Sequence, residues 1–430
     1  MKIYCSGIGG IGLSAYAALQ QALGHTVSGS DRTESALLDD LREQGIAITL
    51  TQDGSFIPED CDLFVYSEAI AQNAPERKKA YERKLRSLSY FQALGELSRE
   101  YTVLAVCGTH GKSSTTAMAA RVLLNAGLDP TVVVGTKLRE LNGRNWCKGD
   151  SNLFLLEACE YRRSFLSLSP TIVLLTNADG DHFDAFASVE EYQDAFRDFL
   201  KLVPHHGAIY THLSDTDCVR VTEDMTHAPV HDVDVLPEVE LSVPGEHMRR
   251  NAQLVLGLAT ALHIPEEDIR ASLLGYSGSW RRMEVVGTTA DDVTVIDDYA
   301  HHPREISATI QAMREGYPGR RLVCVFQPHM HDRTLKLYDA FTPCFTGADL
   351  LMITDVYDAR PDVETQKVSM TTFADDISRQ SAVDVLYEGD LAATKERLLH
   401  DGLLQSHDIL LCLGAGNITD MAREIGVAVQ

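Results

Sequence analysis

The chain has 430 residues, with 62 acidic against 38 basic side chains and a net charge of −24. That imbalance excludes nucleic acid as the main partner and argues against an anionic membrane surface, because neutralising phosphates takes Lys and Arg. It does not exclude a local basic pocket for a phosphorylated small molecule. The length suggests roughly two to four domains, and the 44% hydrophobic content is that of a soluble globular protein. Nine cysteines without a C-x-x-C pair read as reduced thiols of a cytoplasmic protein. The chain opens on a strand and a glycine turn with no signal-peptide pattern, and no run reaches the ~18 apolar residues of a membrane span.

In chain order, "KIYCS" (2–6) predicts a strand, "GIGGIG" (7–12) a tight turn and "LSAYAALQQALG" a helix. "HTVSGSD" predicts a second strand ending at Asp31, and "DLFVYSEAI" a third. This alternation predicts a parallel sheet, and the first domain closes near 96–99. A second unit opens with "YTVLAVCGTHGK", followed by the helix "SSTTAMAARVLLNAG" and the buried strands "NLFLLEACE" and "TIVLLTNADGDH". The helix "MRRNAQLVLGLATALHI" comes later, and the boundary falls near 275–277, before "GSWRRME". The third unit carries the strands "VTVIDDYAHHP", "RRLVCVFQPH", "DLLMITDVYD" and "DILLCLGAGN", with helices such as "PREISATIQAMREG" between them. Each strand ends in polar or glycine residues, and the carboxyl ends of strands are where ligands sit in open α/β sheets.

Gly7, Gly9 and Gly12 satisfy G-x-G-x-x-G between a strand and a helix, and Asp31 ends the next strand where a ribose-binding acid belongs. Alone, this predicts a dinucleotide site. Its physical content is broader: glycines let the backbone approach a pyrophosphate at a helix N-terminus, so any diphosphate would suit, including that of a UDP-sugar. A tight turn with no ligand is the bland alternative.

"VCGTHGKSSTTAM" (106–118) has the strand and helix of a phosphate loop but only Thr109 and His110 between Gly108 and Gly111, against four residues in the usual G-x-x-x-x-G-K-[ST] pattern. Its backbone N–H groups would face phosphate oxygens, Lys112 would reach the terminal phosphates, Ser113 would hold Mg²⁺, and Ser114 continues the hydroxyl donors. Glu157, at a strand end beside this loop, is placed to hold Mg²⁺ directly or through water. Asp179, Asp181, His182 and Asp184 follow the next strand. His182 is the unusual member, since Mg²⁺ prefers oxygen; a solvated acidic loop is the alternative.

The loop "GTHGKS", then "EACE", "TNADGDHFD", "GEHMRRNA", "GSWRRME", "DDYAHHPRE", "FQPHMHDRT" and "LGAGNI", in this order from residue 3 to about 420, resemble the Mur ligase family. Its members are three-domain, ATP-dependent enzymes that add amino acids to the peptidoglycan precursor, and the short loop is the family's own form. The resemblance implies α/β domains in sequence: a Rossmann-like N-terminal domain for a UDP-sugar (1–98), a central P-loop ATPase-like parallel sheet for ATP (99–276) and a Rossmann-like C-terminal domain for amino acid and ATP (277–430). It implies that UDP-N-acetylmuramate and L-alanine are the substrates, with ATP and Mg²⁺, in a monomer or weak homodimer.

Residue by residue, the resemblance implies that Gly7, Gly9, Gly10, Gly12, Ser30, Asp31 and Ser67 hold the sugar nucleotide rather than NAD. Gly108 to Ser114 hold ATP, with Lys112 on the transferring phosphoryl group. Ser113 and Glu157 match the ligands of one Mg²⁺ and His182 that of a second. His247 and Asn251 match the adenine side and Asp298 the ATP ribose, with Tyr299 beside the nucleotide. Arg281 or Arg282 brings charge to the phosphates. His301, His329 and Arg333 match the amino-acid and acyl-phosphate end, where Arg333 would pair with the α-carboxylate and a histidine would take the amine proton. Cys159, Met248, Trp280 and Ala300 depart from the family pattern. A recycling ligase that attaches a tripeptide to the same sugar nucleotide is the nearest alternative, and an NAD-binding oxidoreductase a more distant one.

Overall fold

The computed structural model describes residues 1–180, 185–358 and 366–427. They form two compact units, Met1–Glu240 with Arg250–Leu274, and Leu241–Arg249 with Gly275–Gln430.

The first unit holds two sheets. One comprises β1 (Lys2–Ser6), β2 (Thr26–Ser30), β3 (Ala47–Thr49), β4 (Leu63–Tyr66) and β5 (Ser87–Ser89), all parallel, in the order β3-β2-β1-β4-β5. The strand order reverses beside β1, so the crevice of this doubly wound sheet opens where the glycine turn and Ser67 leave β1 and β4. The strand predicted over "DLFVYSEAI" is shorter in the structure: β4 ends at Tyr66, where the chain turns, with Ser67 N–H donating to Ser6 O at 3.0 Å.

The second sheet comprises β6 (Thr102–Cys107), β7 (Thr131–Leu138), β8 (Arg144–Cys147), β9 (Leu153–Glu157), β10 (Ile172–Leu175), β11 (Ala208–Thr211) and β12 (Val230–Asp232), in the order β12-β11-β10-β6-β9-β7-β8. β6 lies between β9 and β10, which places Glu157 and the 176–179 segment on either side of the phosphate loop. The β7–β8 hairpin is antiparallel and has no counterpart in the sequence reading. Apolar residues of both sheets merge into one core, from Ile3 and Tyr16 through Leu94 and Val103 to Phe199.

The second unit carries β13 (Glu284–Thr288), β14 (Thr294–Asp298), β15 (Leu322–Phe326), β16 (Leu350–Ile353), β17 (Asp384–Tyr387) and β18 (Ile409–Leu413), in the order β13-β14-β18-β15-β16-β17, with β13 antiparallel at the edge. Its central strands are buried throughout, as a parallel sheet covered on both faces requires. The helix Pro303–Gly316 matches its predicted run. Pro303 pre-sets the first turn, His302 accepts from Arg304 N–H, and Glu305 reaches back to the His302 N–H. Ends of β14, β15 and β18 therefore gather the 298–302, 327–333 and 414–417 segments at one edge of the sheet.

Gly95, in the helix Tyr90–Ser98, meets the main chain of Ser167, where an added Cβ would collide with the carbonyl oxygen and stand 2.8 Å from its carbon. Gly95→Ala is expected to destabilise the first unit by about 2 kcal/mol, the cost of overpacking against backbone. A denaturant titration that finds an unchanged midpoint would rule out that contact.

Candidate active site

The phosphate loop is set by two glycines and a neighbouring strand end. Gly108 has φ +138° and Gly111 has φ +81°, both in the region that side chains disfavour. An added Cβ at 108 would collide with Thr176 Oγ1 and approach Asn177 O to 2.9 Å, while one at 111 would stand 2.7 Å from Asn251 Oδ1. Thr176 and Asn177, following β10, fasten the loop. Thr109 N–H donates to Asn177 O (3.2 Å), His110 N–H to Asn177 Oδ1 (2.8 Å), and Thr176 Oγ1–H to His110 O (2.6 Å). So the amides of Thr109 and His110, expected to face phosphate, are engaged within the protein. The helix Lys112–Asn125 starts at Gly111 with no side-chain cap, a helix N-terminus of the kind that suits an anion.

Lys112 folds back over this loop. Its ammonium donates to Gly108 O, to Thr109 O (3.0 Å) and to Glu160, whose oxygens lie 3.0 and 3.1 Å away. Burial works against the ammonium, but the Glu160 carboxylate outweighs it and lifts Lys112 above the usual lysine value. Glu160 is fully buried and also receives Tyr192 OH at 3.4 Å, while Tyr192 OH reaches Thr109 Oγ1 at 3.0 Å. Neither Glu160 nor Tyr192 was singled out from the sequence, though Glu160 stands in the quoted "EACE". Burial, then the Glu160 charge, pushes the Cys159 thiol up to about 12.

Ser113 lies in the first turn of the loop helix and Ser114 follows it, both buried. Glu157 ends β9; its Oε1 is buried without a hydrogen-bond partner, and its Oε2 would stand 2.7 Å from a Cβ at Gly135. A hard oxygen cradled against a glycine suits a divalent cation. His182, with Asp181 and Asp184, lies outside the described residues. Among the described residues no three His, Cys, Asp or Glu side chains gather as a ready metal site. Asp179 lies 3.6 Å from His110 Nε2.

At the amino-terminal sheet, Gly7 has φ +79° and its N–H donates to Ser30 O at 2.8 Å. Asp31 takes the Gly9 N–H at 2.8 Å and the Arg32 N–H at 2.7 Å, so it shapes the glycine turn. Gly10 precedes the helix Ile11–Ala22, again with no side-chain cap. Gly12 faces the Tyr90 ring, where a Cβ would come within 2.8 Å; its role is close helix packing. Ser67 lies against Gly7, whose Cβ would be 3.0 Å from that of Ser67.

The second unit separates the two arginines. Arg281 is 6% exposed and its guanidinium donates to Gly414 O (2.5 Å) and Gly416 O (3.0 Å), so it braces the "LGAGN" loop. Arg282 is half-buried, with its guanidinium 4.9 Å from the Tyr299 ring centre. Asp298 accepts from Ala300 N–H (2.8 Å) and Met283 N–H (2.7 Å). Burial raises its carboxyl to about 6, against the pull of Arg282 and those amides. Asp297 turns instead to Thr419 Oγ1–H at 2.6 Å. Tyr299, His301, His329 and Tyr357 form a chain of rings, with centres 5.2, 5.9 and 5.8 Å apart. Glu305 Oε2 lies 3.3 Å from His301 Nδ1. Arg333 sits in the helix His331–Lys336, which follows Met330 at φ +69°. Glu305 closes the quoted "DDYAHHPRE" but was given no role there, and Tyr357 is an ordinary loop residue until the fold brings it beside His329.

A short phosphate loop at the carboxyl edge of a parallel sheet, preceded by a doubly wound sheet with its own glycine turn, defines a nucleotide-using enzyme of several domains. Three family models match in order: "Mur ligase family, catalytic domain" over 2–102, "Mur ligase middle domain" over 106–235, and "Mur ligase, glutamate ligase domain" over 281–416. The chain belongs to the Mur ligase family, whose members are ATP-dependent ligases. It is 37% identical to a UDP-N-acetylmuramate–L-alanine ligase of Geobacter sulfurreducens and 35% identical to one of Clostridium novyi, over 97% of this chain and 95% of each relative. The crystal structure of a UDP-N-acetylmuramate–alanine ligase from Thermotoga maritima matches with a TM-score of 0.81 at 26% identity, covering 99% of this chain and 98% of that one. A murein peptide ligase from Psychrobacter arcticus shares the fold with a TM-score of 0.72 at 22% identity, covering 99% of this chain and 98% of that chain.

Gly108→Ala is expected to abolish nucleotide binding while leaving the sheets folded, because both the backbone angle and Thr176 refuse a Cβ. Fluorescence titration with an ATP analogue, beside a circular dichroism spectrum, checks this. His247 opens the helix Glu246–Ala261, where burial pushes its imidazole down to about 4. The folded state therefore resists its protonation, and stability is lost as pH falls from the unfolded value near 6.5 towards 4, by at most about 3 kcal/mol. His247→Gln should flatten the fall in urea midpoint between pH 7 and 4.5; an unaltered slope would remove His247 as its source.

Proposed function

We propose that this protein joins L-alanine to the lactyl carboxylate of UDP-N-acetylmuramate at the expense of ATP, a step of peptidoglycan biosynthesis. The observation that carries this reading is near-full-length likeness to ligases of that name, with the phosphate loop and its lysine intact. The proposed division of labour is sugar nucleotide in residues 1–98, ATP in 99–276, and amino acid with part of ATP in 277–430.

The lactyl carboxylate attacks the γ-phosphorus, ADP departs, and an acyl phosphate forms. The amine of alanine then attacks the acyl carbon, and phosphate leaves as the amide forms. No protein nucleophile is needed, so catalysis rests on positioning and charge neutralisation. Lys112 is held protonated by Glu160 and carries its charge to the transferring phosphoryl group. Gly108, Thr109, His110, Gly111, Ser113 and Ser114 form the walls of the phosphate site, and Asn251 backs Gly111. Ser113 and Glu157 would hold Mg²⁺, which when bound neutralises phosphate charge. Its fit rests on the orphaned Glu157 oxygen.

In the carboxy-terminal unit we assign the phosphate-facing charge to Arg282, because Arg281 is committed to carbonyls. Asp298 serves the ribose, with Tyr299 beside it, and His247 the adenine. Arg333 pairs with the alanine carboxylate. His301, oriented by Glu305, and His329 are the bases that can accept the amine proton. All nine cysteines are free thiols, in keeping with a cytoplasmic enzyme. No described helix is long and apolar enough to cross a membrane. The proposal includes no nucleic-acid partner and a monomer or weak homodimer.

Phosphate release from ATP, with Mg²⁺ and UDP-N-acetylmuramate, is expected to require L-alanine. Release with the tripeptide and not with alanine would move the assignment to the recycling ligase, and no release with either would reject both.

A further inference from the structure

Beneath the amino-terminal glycine turn lies a buried carboxyl group that the proposed reaction does not use. Glu76, in the first turn of the helix Pro75–Glu82, is 1% exposed. Its Oε1 accepts from Tyr4 OH at 2.6 Å, and its Oε2 accepts from Ser30 Oγ–H at 2.7 Å and from Ser6 Oγ–H. Ser6 and Ser30 are the last residues of β1 and β2. Their main chains carry the turn. Ser30 O receives the N–H groups of Gly7 and Ile8 at 2.8 and 2.9 Å, and Ser6 O receives that of Ser67 at 3.0 Å. From the same helix, Arg77 Nη1 donates to Ile70 O at 3.0 Å, in the segment that follows Ser67.

One carboxyl group thus clamps, through side chains, the two strand ends whose carbonyls set the glycine turn and Ser67. Its partners are hydroxyls, each fully directional, and such a satisfied buried network holds its members in one geometry. The start of its own helix favours a carboxylate there as well.

We propose that Glu76 is a positioning residue of the sugar-nucleotide site. It fixes the aim of the Gly7–Gly10 turn and Ser67 at the diphosphate without touching the ligand. The inference rests on the reading that this turn holds UDP-N-acetylmuramate.

The test compares Glu76→Met, which has similar length and no acceptor, with Glu76→Gln, whose amide oxygen still accepts from Ser6 and Ser30 while its NH₂ turns to Tyr4. Calorimetric Kd for UDP-N-acetylmuramate and steady-state kinetics are read together. Met is expected to raise Kd and KM for the sugar nucleotide about tenfold, the worth of hydrogen bonds to a charged group. KM for ATP and kcat should stay within about twofold, and Gln should recover most of the loss. Equal losses in kcat and both KM values, tracking a lowered melting temperature, would show a merely structural residue and overturn the proposal. So would an unchanged KM. If Met does not fold, Ser6→Ala, which removes one donor to Glu76 at a residue outside the ligand set, decides: its sugar-nucleotide KM rises several-fold with ATP KM unmoved, or the proposal falls. Failure of the wild type itself to bind UDP-N-acetylmuramate would overturn the underlying reading, and this inference with it. Wild-type binding with unaffected variants overturns this inference alone.

Discussion

The arrangement of the central site depends on one buried ion pair. Lys112 and Glu160 meet at 3.0 Å, with the carboxylate side chain fully buried and the lysine 16% exposed. Removing either partner would leave an uncompensated buried charge, which costs far more than the pair contributes. The pair is held from several sides. Tyr192 reaches Glu160 and Thr109, the carbonyls of Gly108 and Thr109 take the ammonium, and Asn177 and Thr176 fix those carbonyls through the loop. The lysine is thereby kept charged and within the loop that surrounds a phosphate.

The same economy of position recurs at each sheet. Strand ends bring polar groups to one edge, and close approach of backbone to side chain excludes a Cβ at chosen glycines. Gly108 faces Thr176, Gly111 faces Asn251 and Gly135 faces Glu157. In the second unit, Arg281 and Arg282 both stand over the ring of Tyr299, and Arg281 also braces the 414–416 loop. Burial and the loop carbonyls divide an adjacent pair with identical chemistry.

Most of the framework was legible in the sequence. The strands "VLAVC", "LFLLE" and "IVLLT" are continuous apolar runs too short for helices, and each ends in the residues that matter. The glycine turns announce themselves because only glycine tolerates their backbone angles. The helix Pro303–Gly316 was readable from Pro303 and the apolar spacing behind it. The edges were not. The β7–β8 hairpin is antiparallel in an otherwise parallel sheet, and its register shifts between Val133 and Leu138, an irregularity that no alternation in the sequence marks. β4 stops at Tyr66, short of the predicted "DLFVYSEAI", because its pairing with β1 ends there and the polar Ser67 and Glu68 follow.

The sequence by itself determined the family, the order of the sheets' motifs and the glycines, lysine and acids of the phosphate loop, because these are set by spacing along the chain. Only the tertiary structure decided which polar groups are engaged. It turned the Thr109 and His110 amides to Asn177, gave Lys112 to Glu160, committed Arg281 to carbonyls, and buried Glu76 among three hydroxyls. Hydrogen bonding and burial are properties of neighbours in space, and those neighbours lie tens of residues apart along the chain.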